Sequence, residues 1–273
     1  MLKKEKSNKI KAIDYDKVFK LISDYFDERK EENIKSHQEE FQGEIQMLER
    51  FKVQFFLYQD VITERNEHKD FKGRCFFAKR YLNVVANNFQ VAQTLFEQGF
   101  HIQLQLIFRS QFEFINTLIA FLGDDDFFLK YGKECSDSRK VITPKRSNTE
   151  KSIRKIMKEY DPQNFNRFWK EYKHITEAIY SELSMNAHGN ILSVSLQSME
   201  GIKNEKWKYN ITTCGVNYPL ARTKMIVMQM LYYFQLMNSF LFIFLERKNL
   251  MDKRSEFYDF LEYYSKNFEV IKQ

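Results

Sequence analysis

The sequence predicts an all-α protein, an up-and-down helical bundle with an N-terminal helical extension and, late in the chain, either a small β-hairpin or an ordered loop. Three observations carry this. Only 8 glycines and 3 prolines occur in 273 residues, too few for a turn-rich sheet protein or for long disordered tracts. Lys, Glu, Leu, Ile and Gln, all good helix formers, are abundant. Gly99 to Leu122 is apolar almost all round at helical spacing, as a helix enclosed by other helices would be. The expected organisation is an N-terminal extension over 1–73, a bundle core over 74–250 and a C-terminal helix over 251–273 packing on that core.

Asp14 or Asp16 can open a first helix whose apolar positions are Val18, Phe19, Leu21, Ile22, Tyr25 and Phe26, with DERKEE ending or bending it. A second helix is expected over 34–67. Phe41, Leu48, Phe55 and Ile62 repeat there every seven residues, with Ile45 and Tyr58 between. So short a seam favours packing inside a bundle over a dimeric coiled coil. Gly73 is expected to break the pattern, and 74–98 reads as a third helix that Gly99 ends. The apolar helix follows, closed by Gly123 and by Asp124, Asp125 and Asp126. These carboxylates suit the N-terminus of a short helix over 127–135, and they lack the spacing of a calcium loop.

Residues 136–148 read as a polar loop with a basic patch of Arg139, Lys140, Lys145 and Arg146. Ser147 and Glu150 have capping-box spacing and open a helix to about Tyr160. Asp161-Pro162 reads as the N-cap and first turn of the next helix, which runs through Phe165, Trp169, Tyr172, Ile175, Ile179 and Leu183 to His188, where Gly189 ends it. Leu192, Val194 and Leu196 alternate, as do Trp207, Tyr209 and Ile211, with Gly201 and Asn204 between. Pro219 opens a last long helix whose 225–245 stretch carries no charge. Its length would allow a membrane span, but Gln229, Gln235, Asn238 and Ser239 interrupt it, which favours a central core helix. A final amphipathic helix is expected over 252–270.

Net charge is +6, which permits binding to nucleic acid or an anionic surface without demanding it. Cys75, Cys135 and Cys214 are scattered, with no paired spacing, and the opening MLKKEKSNKIKAIDYD has no apolar signal segment. Both features predict a cytoplasmic chain without structural zinc. No phosphate-binding glycine loop, GxSxG or HExxH occurs. No metal and no cofactor is expected. Metal-free ribonucleases, which need only a few positioned polar side chains, stay open.

Two groups of residues could carry chemistry. Along the apolar helix, His101, Gln105, Arg109, Glu113 and Thr117 recur at four-residue steps, so Arg109 and Glu113 can touch. Either they form a buried ion pair that fixes bundle register, or Arg109 grips an anion while Glu113 holds its fork. On the later helix, Tyr180, Ser184 and His188 are again four apart, with Asn186 beside them and Asn190 just after. His188 falls at a helix C-terminus, where the dipole favours imidazolium. It is either a capping histidine or a general acid.

The residues Gly99-Phe100, Arg109-Ser110-Gln111-Phe112-Glu113 and Tyr180 to Gly189, read as Tyr-x-x-Leu-Ser-x-x-x-His-Gly, resemble a family of uncharacterised bacterial all-helical proteins. That family is similar in architecture to the HEPN superfamily, which includes toxin and phage-defence ribonucleases acting as dimers through paired Arg and His. The resemblance covers roughly 86–244. HEPN ribonucleases carry Arg and, after four to six intervening residues, His. The one match is Arg167 to His174, and Phe168 stands where a polar residue is usual.

The resemblance implies a metal-independent endoribonuclease or RNA-binding effector of a defence or toxin system, working as a homodimer or with a partner from the same system. His188 would be general acid or base, Arg109 would hold phosphate, Glu113 would orient it, and Ser184 and Tyr180 would support them. Gln105, Asn186 and Asn190 would contact substrate. A non-catalytic oligomerisation or ligand-binding module, and a membrane-associated effector using 225–245, are the alternatives.

Overall fold

The computed structural model describes residues 14–62, 71–134, 144–187, 199–203, 206–209 and 220–266. Its helices are α1 (Tyr15–Glu40), α2 (Gln42–Val61), α3 (Phe71–Glu97), α4 (His101–Gly123), α5 (Asp125–Glu134), α6 (Arg146–Tyr160), α7 (Phe165–Ala187), α8 (Leu220–Arg247) and α9 (Tyr258–Lys266). Two short antiparallel strands, β1 (Met199–Lys203) and β2 (Lys206–Tyr209), place Ile202 opposite Trp207 and Met199 opposite Tyr209. The arm expected over 192–196 lies outside the described residues. The protein is an all-α helical bundle.

Consecutive helices α2, α3 and α4 pack side by side, and α8 closes the bundle by touching α2, α4, α6, α7 and α9. The seven-residue repeat of α2 is entirely interior: Phe41, Leu48, Phe55 and Ile62 are all buried. An aromatic cluster marks the centre, with Phe89 and Phe234 at 4.9 Å, Phe51 and Phe89 at 5.6 Å, and Phe108 and Phe234 at 5.5 Å between ring centroids. The 41–62 part of the N-terminal segment and Met251, Tyr258 and Leu261 of the C-terminal one share this core.

α8 has the length and apolarity of a membrane span, yet 78% of its most apolar window is buried in the bundle. Three of its four polar interruptions are used internally. Asn238 and Ser239 both bond to Ser265 of α9, which also meets the Tyr58 hydroxyl at 3.2 Å, and Gln235 donates to the Tyr264 carbonyl at 3.0 Å.

Several boundaries depart from the sequence reading. Asp14 does cap the first helix, accepting from the Lys17 amide at 3.2 Å, but α1 continues through DERKEE to Glu40. Gly73 lies inside α3 rather than before it. Asp161-Pro162 does not start α7. The Asp161 amide closes α6 on the Met157 carbonyl, its carboxylate accepts from the Asn164 amide at 3.1 Å, and helix begins at Phe165. Ser147 makes no capping box, because α6 starts at Arg146 and Glu150 turns to that arginine instead. Gly99 behaves as expected. At φ 75° it ends α3, with the Phe100 amide reaching the Leu95 carbonyl at 2.8 Å and its own amide reaching Phe96 at 3.0 Å.

Candidate functional site

Residues four apart advance about 400° around a helix, so a four-residue stripe drifts by about 40° per step. This drift decides what the stripe on α4 does. His101 and Gln105 are buried, while Arg109 keeps 24% of its side chain exposed and Glu113 keeps 47%. The seam is therefore interior only at its start, and the ion pair is not sealed in the core. It opens at the surface where α7 crosses α4.

There Arg109 Nε donates to Glu113 Oε1 at 3.4 Å, and the Tyr180 hydroxyl donates to the same oxygen at 3.1 Å. Two segments 67 residues apart thus meet at one carboxylate. The Tyr180 ring rests on Phe112 with centroids 5.5 Å apart. The Arg109 guanidinium carbon lies 5.5 Å from that ring's centroid and the Arg146 carbon 4.1 Å, both within cation–π range.

Arg146, at the first turn of α6, is held by its own helix and by α7. Its Nε donates to Glu150 at 2.7 Å and one terminal nitrogen donates to the Thr176 carbonyl at 3.4 Å. Lys173 lies 3.6 Å from Glu150 and 3.1 Å from Glu177. Cations and carboxylates alternate here, so the mouth has little net charge. A guanidinium offers five N–H donors. The bonds just described use one of Arg109's and two of Arg146's, so both retain donors for an anion.

Beneath the mouth is a cavity of about 140 Å³ lined by Phe112, Asn116, Thr149, Tyr172 and Tyr180, with Glu113, Arg146 and Glu150 at its edge. Its floor is well ordered by packing. Tyr172 stacks on Trp169 at 5.2 Å, and Phe112 lies 4.7 Å from Tyr233, whose hydroxyl donates to Asn116 Oδ1 at 2.8 Å. The Tyr172 hydroxyl is buried and makes no hydrogen bond of ordinary length among the described residues. Burial, reinforced by the Glu150 charge, pushes its phenol well above the usual range, against a weaker opposing pull from Arg146 and Asn116. It is a neutral hydroxyl at any ordinary pH.

Of the residues singled out in the sequence, Arg109, Glu113 and Tyr180 converge. Gln105 is buried one turn before Arg109. Ser184 and Asn186 fall in the last turns of α7, with side chains outside the described set, and His188 and Asn190 lie outside the described residues altogether. Arg167 and His174 do not join this cluster. Arg167 pairs with Glu171 at 3.2 Å beside a separate cavity near Phe242 and Lys266, and His174 is exposed.

Sequence reasoning missed Asn116, Glu150 and Tyr172, and it read Arg146 only as part of a basic patch. The Arg146–Glu150 step of four was available as a signal, as was Asn116, a lone amide in an apolar run. The three adjacent aspartates hold cations: Asp125 meets Arg74 at 2.6 Å, and Asp124 and Asp126 meet Lys155 at 3.1 and 3.7 Å. No family model, curated protein or solved structure matches the chain.

Proposed function

We propose that this protein is a HEPN-like, metal-independent endoribonuclease of a bacterial phage-defence or toxin system, acting in the cytoplasm as a homodimer, with its working groups at the α4–α7 crossing. The observation that carries this reading is the meeting of Arg109, Glu113 and Tyr180 at a solvent-open mouth, with Arg146 against the same ring. RNA cleavage without a metal needs a base to take the 2′-hydroxyl proton, cations to hold the pentacoordinate phosphate, and an acid to protonate the departing 5′-oxygen. Its products are a 2′,3′-cyclic phosphate and a 5′-hydroxyl end.

In this scheme Arg109 and Arg146 hold the phosphate, their spare N–H donors matching its oxygens. Glu113 fixes the Arg109 fork and the Tyr180 hydroxyl together. His188, eight residues beyond Tyr180 on the same segment, moves the proton. Ser184 and Tyr180 support it, and Asn186 and Asn190 contact the strand; Gln105, buried one turn before Arg109, cannot reach it.

The test is incubation of purified protein with RNA in the presence of EDTA. Cleavage is expected, leaving cyclic-phosphate ends. His188→Ala should abolish it, and Arg109→Ala should lower the rate by about 10²-fold or more, the usual cost of removing one charge-stabilising donor. A folded protein that neither cuts nor binds RNA would overturn the reading in favour of a non-catalytic ligand-binding module. Sedimentation of the full chain, expected at the mass of a dimer, tests the assembly.

A further inference from the structure

Helix α1 stands off the bundle. Its last residue is tied down, with Glu40 3.5 Å from Lys224 of α8. Toward the N-terminus the cover stops: of the described side chains between Asp14 and Glu32, all but Ser23 are exposed. That is about 28 Å of helix at a rise of about 1.5 Å per residue. A helix of this length on its own is marginal in water, because most helical stability comes from packing an apolar face. Such a face exists here. Val18, Phe19, Leu21 and Ile22 are exposed, Phe19 by 73% and Leu21 by 62%. At about 100° per residue the four fall within about 160° of arc, one side of the helix.

Charge indicates what covers that side. Lys17, Asp24 and Glu28 lie within about 60° of Leu21 around the helix, bordering the apolar arc, and all three are exposed. Along this flank the sign runs from positive at Lys17 to negative at Asp24 and Glu28. A second α1 laid antiparallel, crossing near Ile22, sets Lys17 of one copy beside Glu28 of the other, and two-fold symmetry makes the pair twice. A parallel copy would set like charge on like, and flanking charges of this kind choose helix orientation. An anionic lipid surface fits less well, since acids outnumber bases seven to four over 14–32.

We infer that α1 is the dimer interface of this protein. Two copies pair antiparallel through Val18, Phe19, Leu21 and Ile22, with Lys17 and Glu28 paired at the rim. This partner rests on the homodimer proposed above and requires none of the ribonuclease chemistry.

Sedimentation velocity of the full chain over a concentration series measures the dimer. Ile22→Ser, near the middle of the apolar arc, is expected to weaken it about a hundredfold, because the side chain is lost from both copies. Lys17→Glu and Glu28→Lys should each weaken it about tenfold, by turning two ion pairs into two repulsions. The double variant should regain wild-type assembly, and an equimolar mixture of the two single variants should form a heterodimer. Every substituted side chain is exposed, so the unfolding temperature of the dilute protein is expected to stay unchanged. Amide exchange in α1, fast in the dilute chain, should slow as the chain is concentrated.

A chain that stays monomeric at every concentration would remove both the homodimer and this interface, whatever RNA cleavage shows. A dimer that these substitutions leave intact would keep the homodimer and remove the interface; a parallel pair would give that result for the two charge variants. Binding to phosphatidylserine-containing vesicles that Ile22→Ser abolishes, with the chain monomeric in solution, would assign the face to a lipid surface instead. A chain that dimerises through α1 yet cuts no RNA would leave this interface standing and remove the ribonuclease reading.

Discussion

The Tyr180 side chain ties three helices together: its hydroxyl holds Glu113 of α4, and its ring carries Arg146 of α6. Tyr180→Phe removes only the hydroxyl, so on the proposed ribonuclease reading RNA cleavage is expected to fall about tenfold while stability moves by no more than about 1 kcal/mol, the worth of one partly exposed hydrogen bond. Steady-state kinetics and a melting curve on the same sample check both halves. On the same reading Arg146→Lys is expected to be as harmful to RNA binding as Arg146→Ala, since a lysine cannot fork between Glu150 and the Thr176 carbonyl while lying flat on a ring. At the backbone, Gly99→Ala should cost about 1 kcal/mol in chemical denaturation, because its φ of 75° suits a residue without a Cβ. Asn249, at φ 52°, plays the same part at the end of α8, where the Leu250 amide reaches the Leu245 carbonyl at 2.9 Å.

Among the helices, α4 and α6 meet at a glycine that leaves no room for a side chain. A Cβ built on Gly123 would stand 2.6 Å from Ile156 Cδ1 and 2.8 Å from Cγ1. Gly123→Ala is therefore expected to destabilise by about 1–3 kcal/mol, the usual cost of overpacking. Gly123→Ala combined with Ile156→Val, which shortens the opposing side chain, should recover part of that loss. Denaturant titration of the single and double variants decides it. The helices also differ in how firmly they are held. α8 is enclosed along most of its length, whereas α1 touches only α2 and α3 in more than a passing way and leaves Val18, Phe19, Leu21 and Ile22 exposed. Amide exchange is expected to be fast in α1 and slowest around Phe234 of α8.

For the molecule as a whole, stability rests on the shared core and on a few ion pairs at its edge. Phe234 meets Phe51, Phe89 and Phe108, so Phe234→Ala should cost about 3–5 kcal/mol. Asp124 gives one part of the pH dependence. Burial alone would raise its carboxyl, but hydrogen bonds from Ser152 and Lys155, the Lys155 charge and the Phe127 amide outweigh burial and hold it below the ordinary value. A depressed carboxylate contributes stability above the unfolded value, near pH 4, and loses it as pH falls through the folded one. Asp124→Asn is thus expected to be less stable than wild type at neutral pH, with the gap closing as the solution is acidified below about pH 4. Melting temperatures across that range measure it.

The sequence by itself determined the helical class, the buried face of α2, the apolar helix α4, the turn at Gly99 and the candidacy of Arg109, Glu113 and Tyr180. Each of these follows from composition, from spacing or from one residue's backbone freedom. The helix starts at Asp161 and Ser147 were misread because a local capping pattern competes with partners from elsewhere in the chain: Asn164 and Arg146 took the oxygens that a cap would have used. Only the tertiary structure decided that the Arg109–Glu113 pair faces solvent, that Arg146 joins it, and that a cavity lies beneath. These depend on how α4, α6 and α7 cross, and a crossing angle is set by the packing of many side chains at once, which no local pattern encodes.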